Sequence, residues 1–155
     1  MGKRESPKKT GISEITGKVI NIRHAIVNDM YFIENILQKH HFDITDLDYR
    51  QFVVALEDTK PIGIGRLKKT GRICEIGCVL LIEEQKRRGI ADIIVKHLID
   101  YASAKVVYAL TDQVNYFKKM GFKEIKEGAE AIIKKLDSGC KPLRKKQILM
   151  FLRKT

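Results

Sequence analysis

The sequence has few cysteines and no long hydrophobic run, and both absences narrow what the protein can be. Its three cysteines, Cys74, Cys78 and Cys140, are an odd number in a chain of 155 residues, which argues against a disulfide framework. No apolar stretch reaches the ~20 residues of a membrane-spanning helix. The first 18 residues lack the hydrophobic centre of a secretory signal peptide. We therefore expect a soluble, cytoplasmic protein that does not enter a membrane.

Several ligand-binding signatures are also missing. The chain has neither the G-x-x-x-x-G-K-[ST] of a Walker A loop nor the G-x-G-x-x-G of a dinucleotide-binding fold. Cys74 and Cys78 stand four apart on a predicted strand and should face the same side. No further Cys or His at a familiar spacing completes a metal site with them, so we expect small buried cysteines and no metal.

Positive charge is concentrated at the two ends of the chain. The net charge is +11, of which residues 1–18 carry +3 and residues 134–155 carry +7. We predict a flexible basic tail over 1–18 and a single domain over 19–155, since 44% hydrophobic content suits a packed core. Clustered Lys and Arg could also attract an acidic macromolecular partner.

The hydrophobic pattern predicts alternating strands and helices. Strands are expected at 19–23, 51–56, 61–67, 73–82, 106–110, 121–125 and 147–152, and helices at 27–39, 89–103, 113–120 and 131–136. The strands between 51 and 82 form an antiparallel meander. Strand 73–82, helix 89–103 and strand 106–110 form a β-α-β unit whose two strands should be parallel.

A basic, glycine-containing turn joins strand 73–82 to the following helix. It reads Lys86-Arg87-Arg88-Gly89-Ile90-Ala91. Backbone N–H groups at a helix start lack intrahelical partners and lie at the positive end of the helix dipole. Gly89 allows close approach or a positive φ. The residues therefore predict an anion site suited to phosphate, without naming the ligand.

Two segments resemble motifs of the GNAT superfamily of N-acetyltransferases. The stretch from Glu75 to Ala91 is similar to its strand-turn-helix motif, approximately [Gln/Arg]-x-x-Gly-x-[Gly/Ala]. Tyr116 to Phe122 resembles its short helix and following Gly-Phe pair, and the element order matches from Val19 to Arg153. The resemblance implies an α+β fold with a mixed, mostly antiparallel sheet of about six or seven strands, a V-shaped splay between the central strands, and about four flanking helices.

The resemblance also implies acetyl-CoA as the co-substrate. The strand backbone would pair with pantetheine, the turn would hold the pyrophosphate, and the short helix would lie beside them. The implied cofactor-binding residues are Val79, Leu80, Leu81, Lys86, Arg87, Arg88, Gly89, Ile90, Ala91 and Phe117. The sequence departs from the family pattern at Lys86, which replaces Gln or Arg, and at Glu83, which replaces a usual Pro. Phe117 occupies the place of a Tyr that protonates the leaving thiolate.

The implied reaction is direct attack of an amine on the acetyl thioester. Tyr116, beside Phe117, is the candidate acid, and Glu75 is the candidate base. His24 and the pair His40-His41 are alternative bases, although a pair at a predicted helix end is more typical of a cap or a surface feature. Arg66 and Lys68 share strand parity and could hold a substrate carboxylate or simply face solvent.

The acceptor stays open at this level. A small amine or amino acid is favoured by a partial likeness of Leu110-Thr111, and of the segment 138–150, to the GNAT subset that acetylates the α-amine of glutamate. A protein or RNA-bound amine is the alternative. The missing Tyr also allows a nonenzymatic acetyl-CoA-binding module, and the basic ends allow a nucleic-acid-binding protein. A monomer and a homodimer are both compatible with the sequence.

Overall fold

The structure is a computed structural model, and it describes residues 11–15, 18–82, 89–136 and 147–154. Within these ranges eight strands form one sheet, in the order β1-β2-β3-β4-β5-β6-β8-β7. The strands are β1 Gly11–Ile15, β2 Lys18–His24, β3 Phe52–Glu57, β4 Lys60–Thr70, β5 Ile73–Leu81, β6 Val106–Thr111, β7 Lys123–Glu124 and β8 Ile148–Arg153. The helices are α1 Met30–Lys39, α2 Ile90–Tyr101, α3 Val114–Lys119 and α4 Ala129–Lys135.

This architecture confirms the predicted α+β fold, with a strand count slightly above the expected six or seven. Strand β1 lies inside the stretch predicted to be a flexible tail, so for residues 11–15 that prediction is wrong. β1 pairs antiparallel with β2, from Gly11 opposite Ile22 to Ile15 opposite Lys18. Backbone groups on an open sheet edge pair with another strand whatever its side-chain alternation, which explains why the pattern missed it. Residues 1–10, 16–17 and Cys140 lie outside the described residues.

Each face of the sheet is covered by its own hydrophobic cluster. On one face, α2 and α3 pack Ile94, Leu98 and Phe117 against the strands. On the other face, α1 packs Ile33 and Leu37. The two clusters place α1 and α2 on opposite sides of the sheet.

Two glycines of β4 lie in close packing, Gly65 against α2 and Gly63 against the neighbouring strand β5. A Cβ on Gly65 would lie 2.5 Å from Cγ2 of Ile94 and 2.9 Å from Cδ1 of Leu98, and one on Gly63 would lie 2.5 Å from a methyl of Leu81. Interiors packed at crystal density do not accommodate such distances without movement. Gly65 therefore lets α2 lie directly on the sheet.

A β-bulge interrupts β5 in the middle of the sheet. Ile64 of β4 is opposite Leu80, whereas Arg66 is opposite Gly77, so two residues of β5 face one of β4. Cys78, at this point, has a φ of 52°. An extra residue in one strand reverses the facing of the side chains beyond it.

The bulge overturns the expectation that Cys74 and Cys78 face the same side. Cys74 packs in the cluster beneath α2, whereas Cys78 packs in the cluster beneath α1. Regular alternation holds as far as Ile76, and the inserted residue shifts it by one. Both cysteines are buried and carry free thiols.

Strands β5 and β6 form the parallel pair that the β-α-β unit predicted, and they separate beyond the bulge. Cys74, Glu75 and Ile76 pair with Val107, Tyr108 and Ala109. From Gly77 onward β5 has no register partner in β6, although β6 continues to Thr111. The carboxyl ends of the two strands thus diverge, and the V-shaped splay is present.

Candidate active site

A cavity of about 330 Å³ lies at the splay. Residues from both faces of the sheet line it, along with the β5 bulge and the polar residues that follow β6. The lining comprises His40, Phe42, Arg66, Lys68, Glu75, Ile76, Gly77, Cys78, Val79, Leu80, Ala91, Leu110, Thr111, Asp112, Gln113, Tyr116, Phe117 and Gln147. Ligands of open α/β sheets bind beyond the carboxyl ends of the strands where neighbouring connections diverge, and the cavity has this position.

Three charged side chains face the cavity on the α1 side of the sheet. Arg66 and Lys68 come from alternate positions of β4 and are 8% and 9% exposed. Arg66 Nε donates to Oε1 of Gln51 at 2.8 Å, and Glu75 is directly opposite Lys68 in the β4-β5 register. Arg66 and Lys68 thus line the cavity from the same face of β4, and Glu75 lies opposite Lys68.

The carboxyl end of α1 places His40 at the same cavity. His40 is the C-cap of the helix, and its Nδ1 lies 2.9 Å from the carbonyl oxygen of Ile36. The N–H of Phe42 donates to the carbonyl of Leu37 at 2.9 Å, and His41 adopts a left-handed φ of 62°. This is the hydrogen-bond pattern of a Schellman C-cap. The expected role of a cap is present, and His40 also lines the cavity.

Tyr116 and Phe117, on α3, line the side of the cavity opposite to α1. The hydroxyl of Tyr116 donates to Oδ1 of Asp92, in the first turn of α2, at 2.8 Å. Burial, this hydrogen bond and the charge of Asp92 raise the pKa of Tyr116 above its ordinary 10. The hydroxyl therefore stays protonated at neutral pH and above. Phe117 is buried and stacks edge-on against Phe122, their ring centroids 5.1 Å apart.

The predicted anion turn is described only at its helical end. Lys86, Arg87 and Arg88 lie outside the described residues. Gly89 is the N-cap of α2 with a φ of 76°, a conformation that glycine adopts without strain. Ile90 buries its side chain in the core, and Ala91 lines the cavity.

The strand edge at the splay suits a ligand with peptide-like amides. Beyond Ile76, the side of β5 that faces β6 has no strand paired to it among the described residues. Main-chain groups on such an edge can pair with an added extended segment. Coenzyme A fits here, because its pantetheine contains two amides and Ala91, in the first turn of α2, lines the same cavity. Val79 and Leu80 line the cavity, whereas Leu81 is buried outside it.

Sequence reasoning missed several lining residues. Asp112 and Gln113 follow β6 directly, and the N–H of Gln113 donates to the hydroxyl of Thr111 at 2.8 Å. Polar residues just beyond a parallel strand are a signal that could have identified them. Asp92 gave no such signal, because its partner is 24 positions away.

Together the open mixed sheet, the splayed parallel pair and the cavity between them define an acetyltransferase-type scaffold. The sequence profile of the acetyltransferase (GNAT) family matches residues 21–122, and the chain belongs to this family. The predicted family is thereby confirmed. No curated protein shows significant similarity to the sequence.

Solved structures of similar fold include several acetyltransferases. N-acetylglutamate synthase from Neisseria gonorrhoeae, complexed with coenzyme A and N-acetyl-glutamate, is 17% identical with a TM-score of 0.71, covering 88% of this chain and 35% of its own. Rv2747 from Mycobacterium tuberculosis, in complex with CoA and NLQ, is 20% identical with a TM-score of 0.70, covering 86% and 99%. A GNAT acetyltransferase from Staphylococcus aureus is 16% identical with a TM-score of 0.64, covering 88% and 99%.

The match to the Neisseria gonorrhoeae synthase spans about a third of that protein's length. Within the described residues of the present chain, none of the helices is both long and apolar enough to cross a membrane. The same residues contain no group of three or more His, Cys, Asp or Glu side chains arranged to hold a metal ion.

Proposed function

We propose that this protein is an acetyl-CoA-dependent N-acetyltransferase whose acceptor is an amino acid or another small amine that carries a carboxylate. The observation that carries the acceptor class is the pair Arg66 and Lys68, both at least nine-tenths buried and both lining the cavity at the splay. Cations that line a cavity can hold an anionic ligand group, and a guanidinium can pair with a carboxylate through two parallel hydrogen bonds, so this pair favours an acceptor that carries a carboxylate.

The proposed binding of the coenzyme rests on the edge of β5 at the splay and on the first residues of α2. Backbone groups of Val79, Leu80 and Leu81 would pair with pantetheine, and the turn from Lys86 to Ala91 would hold the pyrophosphate. Phe117 would pack beside the chain of the ligand. Acetyl-CoA supplies the activated acetyl group, and a family fold built around this co-substrate supports the assignment.

The chain's own residues would position the acceptor. Arg66 offers a planar guanidinium whose Nε is already held by Gln51, so its remaining N–H groups have a fixed direction. Lys68 is a flexible point charge on the same face. Glu75, one strand away, lines the same cavity, and Tyr116 is a candidate to protonate the leaving thiolate.

Thiol release from acetyl-CoA tests the acceptor class. The panel pairs each amino acid, glutamate and glutamine included, with its α-carboxamide. This change removes the α-carboxylate and keeps the amine. We expect the acids to exceed the amides in kcat/KM by about 10-fold or more, the value of a charge-assisted hydrogen bond. Lys68→Gln and Arg66→Gln should erase most of this difference.

Lys69→Gln is the matched control, because Lys69 neighbours Lys68 on β4 but is exposed. It should keep the preference for the acids. Equal rates with acids and amides would contradict the carboxylate assignment. Binding of acetyl-CoA in calorimetry without thiol release for any amine would instead indicate a nonenzymatic binding module.

A further inference from the structure

We propose that His40 is the general base that removes a proton from the attacking amine. The proposal rests on the acetyltransferase function above and adds a residue to it. His40 is the histidine that lines the cavity at the splay within the described residues. Three further observations carry the assignment: its fixed position, the contact of its ring with the Ile36 carbonyl and its place among the charges of the cavity.

The helix end holds His40 rigidly. Its backbone N–H donates to the carbonyls of Ile36 and Leu37 at 3.3 and 3.1 Å. The next two residues complete the Schellman pattern, because the N–H of His41 reaches Gln38 and the N–H of Phe42 reaches Leu37. Phe42 also packs against the cluster that contains Leu37. A base held by its helix cap loses little entropy in reaching the reactive geometry.

The contact with Ile36 selects the tautomer. A carbonyl oxygen can only accept, so Nδ1 must carry the proton for the 2.9 Å contact to be a hydrogen bond. In a neutral imidazole the other nitrogen, Nε2, is then unprotonated and can accept. Nε2 lies on the other side of the ring from Nδ1, so it is not directed at the Ile36 carbonyl, and His40 lines the cavity.

The charges around the cavity suit a proton acceptor at this position. The groups that face it are Arg66 and Lys68 from β4, Glu75 from β5, Asp112 after β6 and Tyr116 from α3. Glu75 is opposite Lys68 in register, whereas His40 makes its described hydrogen bonds to its own helix. The carboxyl end of a helix also favours a cation, so the imidazolium formed by proton uptake would be stabilised there.

The proton and electron balance of the step is simple. Nε2 of His40 takes one proton from the acceptor ammonium and later releases it to solvent. The freed lone pair on nitrogen forms the bond to the acetyl carbon, and the carbon–sulfur bond breaks with its electron pair going to sulfur. The second proton lost by nitrogen ends on that sulfur. The products are an amide, a free thiol and one proton.

The test compares His40→Gln with His41→Gln. His41 is adjacent and exposed, and it does not line the cavity, so it controls for the loss of a histidine at the same helix end. At pH 7 we expect kcat of His40→Gln to fall about 100-fold. KM for acetyl-CoA should stay within about twofold, because a base acts on the chemical step rather than on coenzyme binding.

The pH profile separates catalysis from a structural role. Protonation of a general base removes its activity, so wild type and His41→Gln should show an acidic limb, in which kcat/KM falls as the pH is lowered. In His40→Gln this limb should disappear. Retention of the limb, or a kcat within threefold of wild type, would overturn the proposal. Loss of the limb in Glu75→Gln instead would assign the base to Glu75 and overturn it as well.

A measurement without turnover keeps the two proposals apart. Two-dimensional NMR of the imidazole nitrogens in wild type should show His40 as the Nδ1–H tautomer, and the Nε2–H tautomer would overturn its assignment as base. If wild type releases no thiol with any amine, the acetyltransferase proposal fails, whichever tautomer His40 has.

Discussion

The hydroxyl of Tyr116 donates a 2.8 Å hydrogen bond to the carboxylate of Asp92 and thereby joins α3 to the first turn of α2. The two helices flank the opening between β5 and β6, so the bond fixes one wall of the cavity. It also directs the Tyr116 proton toward Asp92. For Tyr116 to serve as the acid, that proton would have to be shared with the leaving sulfur.

This hydrogen bond predicts a loss of stability in alkali. The pKa of Tyr116 is raised by burial first, then by Asp92, so above about pH 10 the unfolded chain releases a proton that the folded chain retains. The free energy of unfolding of wild type should therefore decline more steeply between pH 9.5 and 11 than that of Tyr116→Phe. Chemical denaturation of both proteins at a series of pH values measures this dependence of the free energy of unfolding on pH.

Tyr31→Phe is the control for this experiment, because Tyr31 is 80% exposed. Its alkaline slope should match that of wild type. A slope in Tyr116→Phe equal to that of wild type would show that Tyr116 titrates alike in the folded and unfolded states.

Close packing of α2 on β4 predicts a destabilising substitution at Gly65. In Gly65→Ala the new Cβ would approach Ile94 and Leu98 within 3 Å, so the helix must shift or the side chains must leave their rotamers. We expect the free energy of unfolding to fall by about 1–3 kcal/mol. Gly77→Ala has nothing within 4 Å of the new Cβ and should be tolerated. Equal midpoints for both variants in urea would refute the packing argument.

Gly89, at the start of α2, is the position at which we predict that one substitution abolishes acetyl-CoA binding. Gly89→Glu adds bulk and negative charge at the proposed anion site, and we expect acetyl-CoA binding to be lost in calorimetry while the fold survives. Gly71→Glu is closely matched, because Gly71 is also exposed, also has a positive φ, and also has nothing near a new Cβ. Equal affinity of the two folded variants for acetyl-CoA would show that the coenzyme does not bind at this turn.

Two helices end in the same cap with different residues in the left-handed position. Gly121, with a φ of 100°, follows α3, whereas His41, with a φ of 62°, follows α1. A side chain in this conformation costs about 1–2 kcal/mol, so we expect His41→Gly to raise the free energy of unfolding by about 1 kcal/mol. Gly121→Ala should lower it, since its Cβ would also lie 3.2 Å from Leu152. Thermal unfolding of both variants checks the signs.

Local sequence was sufficient for much of this molecule. The alternation along β4 predicted that Arg66 and Lys68 share a face, because a period of two needs no knowledge of the rest of the chain. The shift from strand to helical spacing across Gly89 predicted the β-α-β unit and its parallel strands for the same reason. The GNAT motifs then indicated the fold and the ligand class.

Other features were decided only when distant segments met. The bulge at Cys78 depends on how β5 pairs with β4, and it reverses the side on which that residue faces. The Tyr116–Asp92 hydrogen bond likewise joins two segments that no local pattern predicts to be partners. The sequence predicted that His40 caps a helix, and His40 is the C-cap of α1. The sequence by itself determined this capping role. Only the packing of α1 over the splayed strands placed the His40 ring at the cavity, because the residues at a helix end do not indicate which distant residues that end will face.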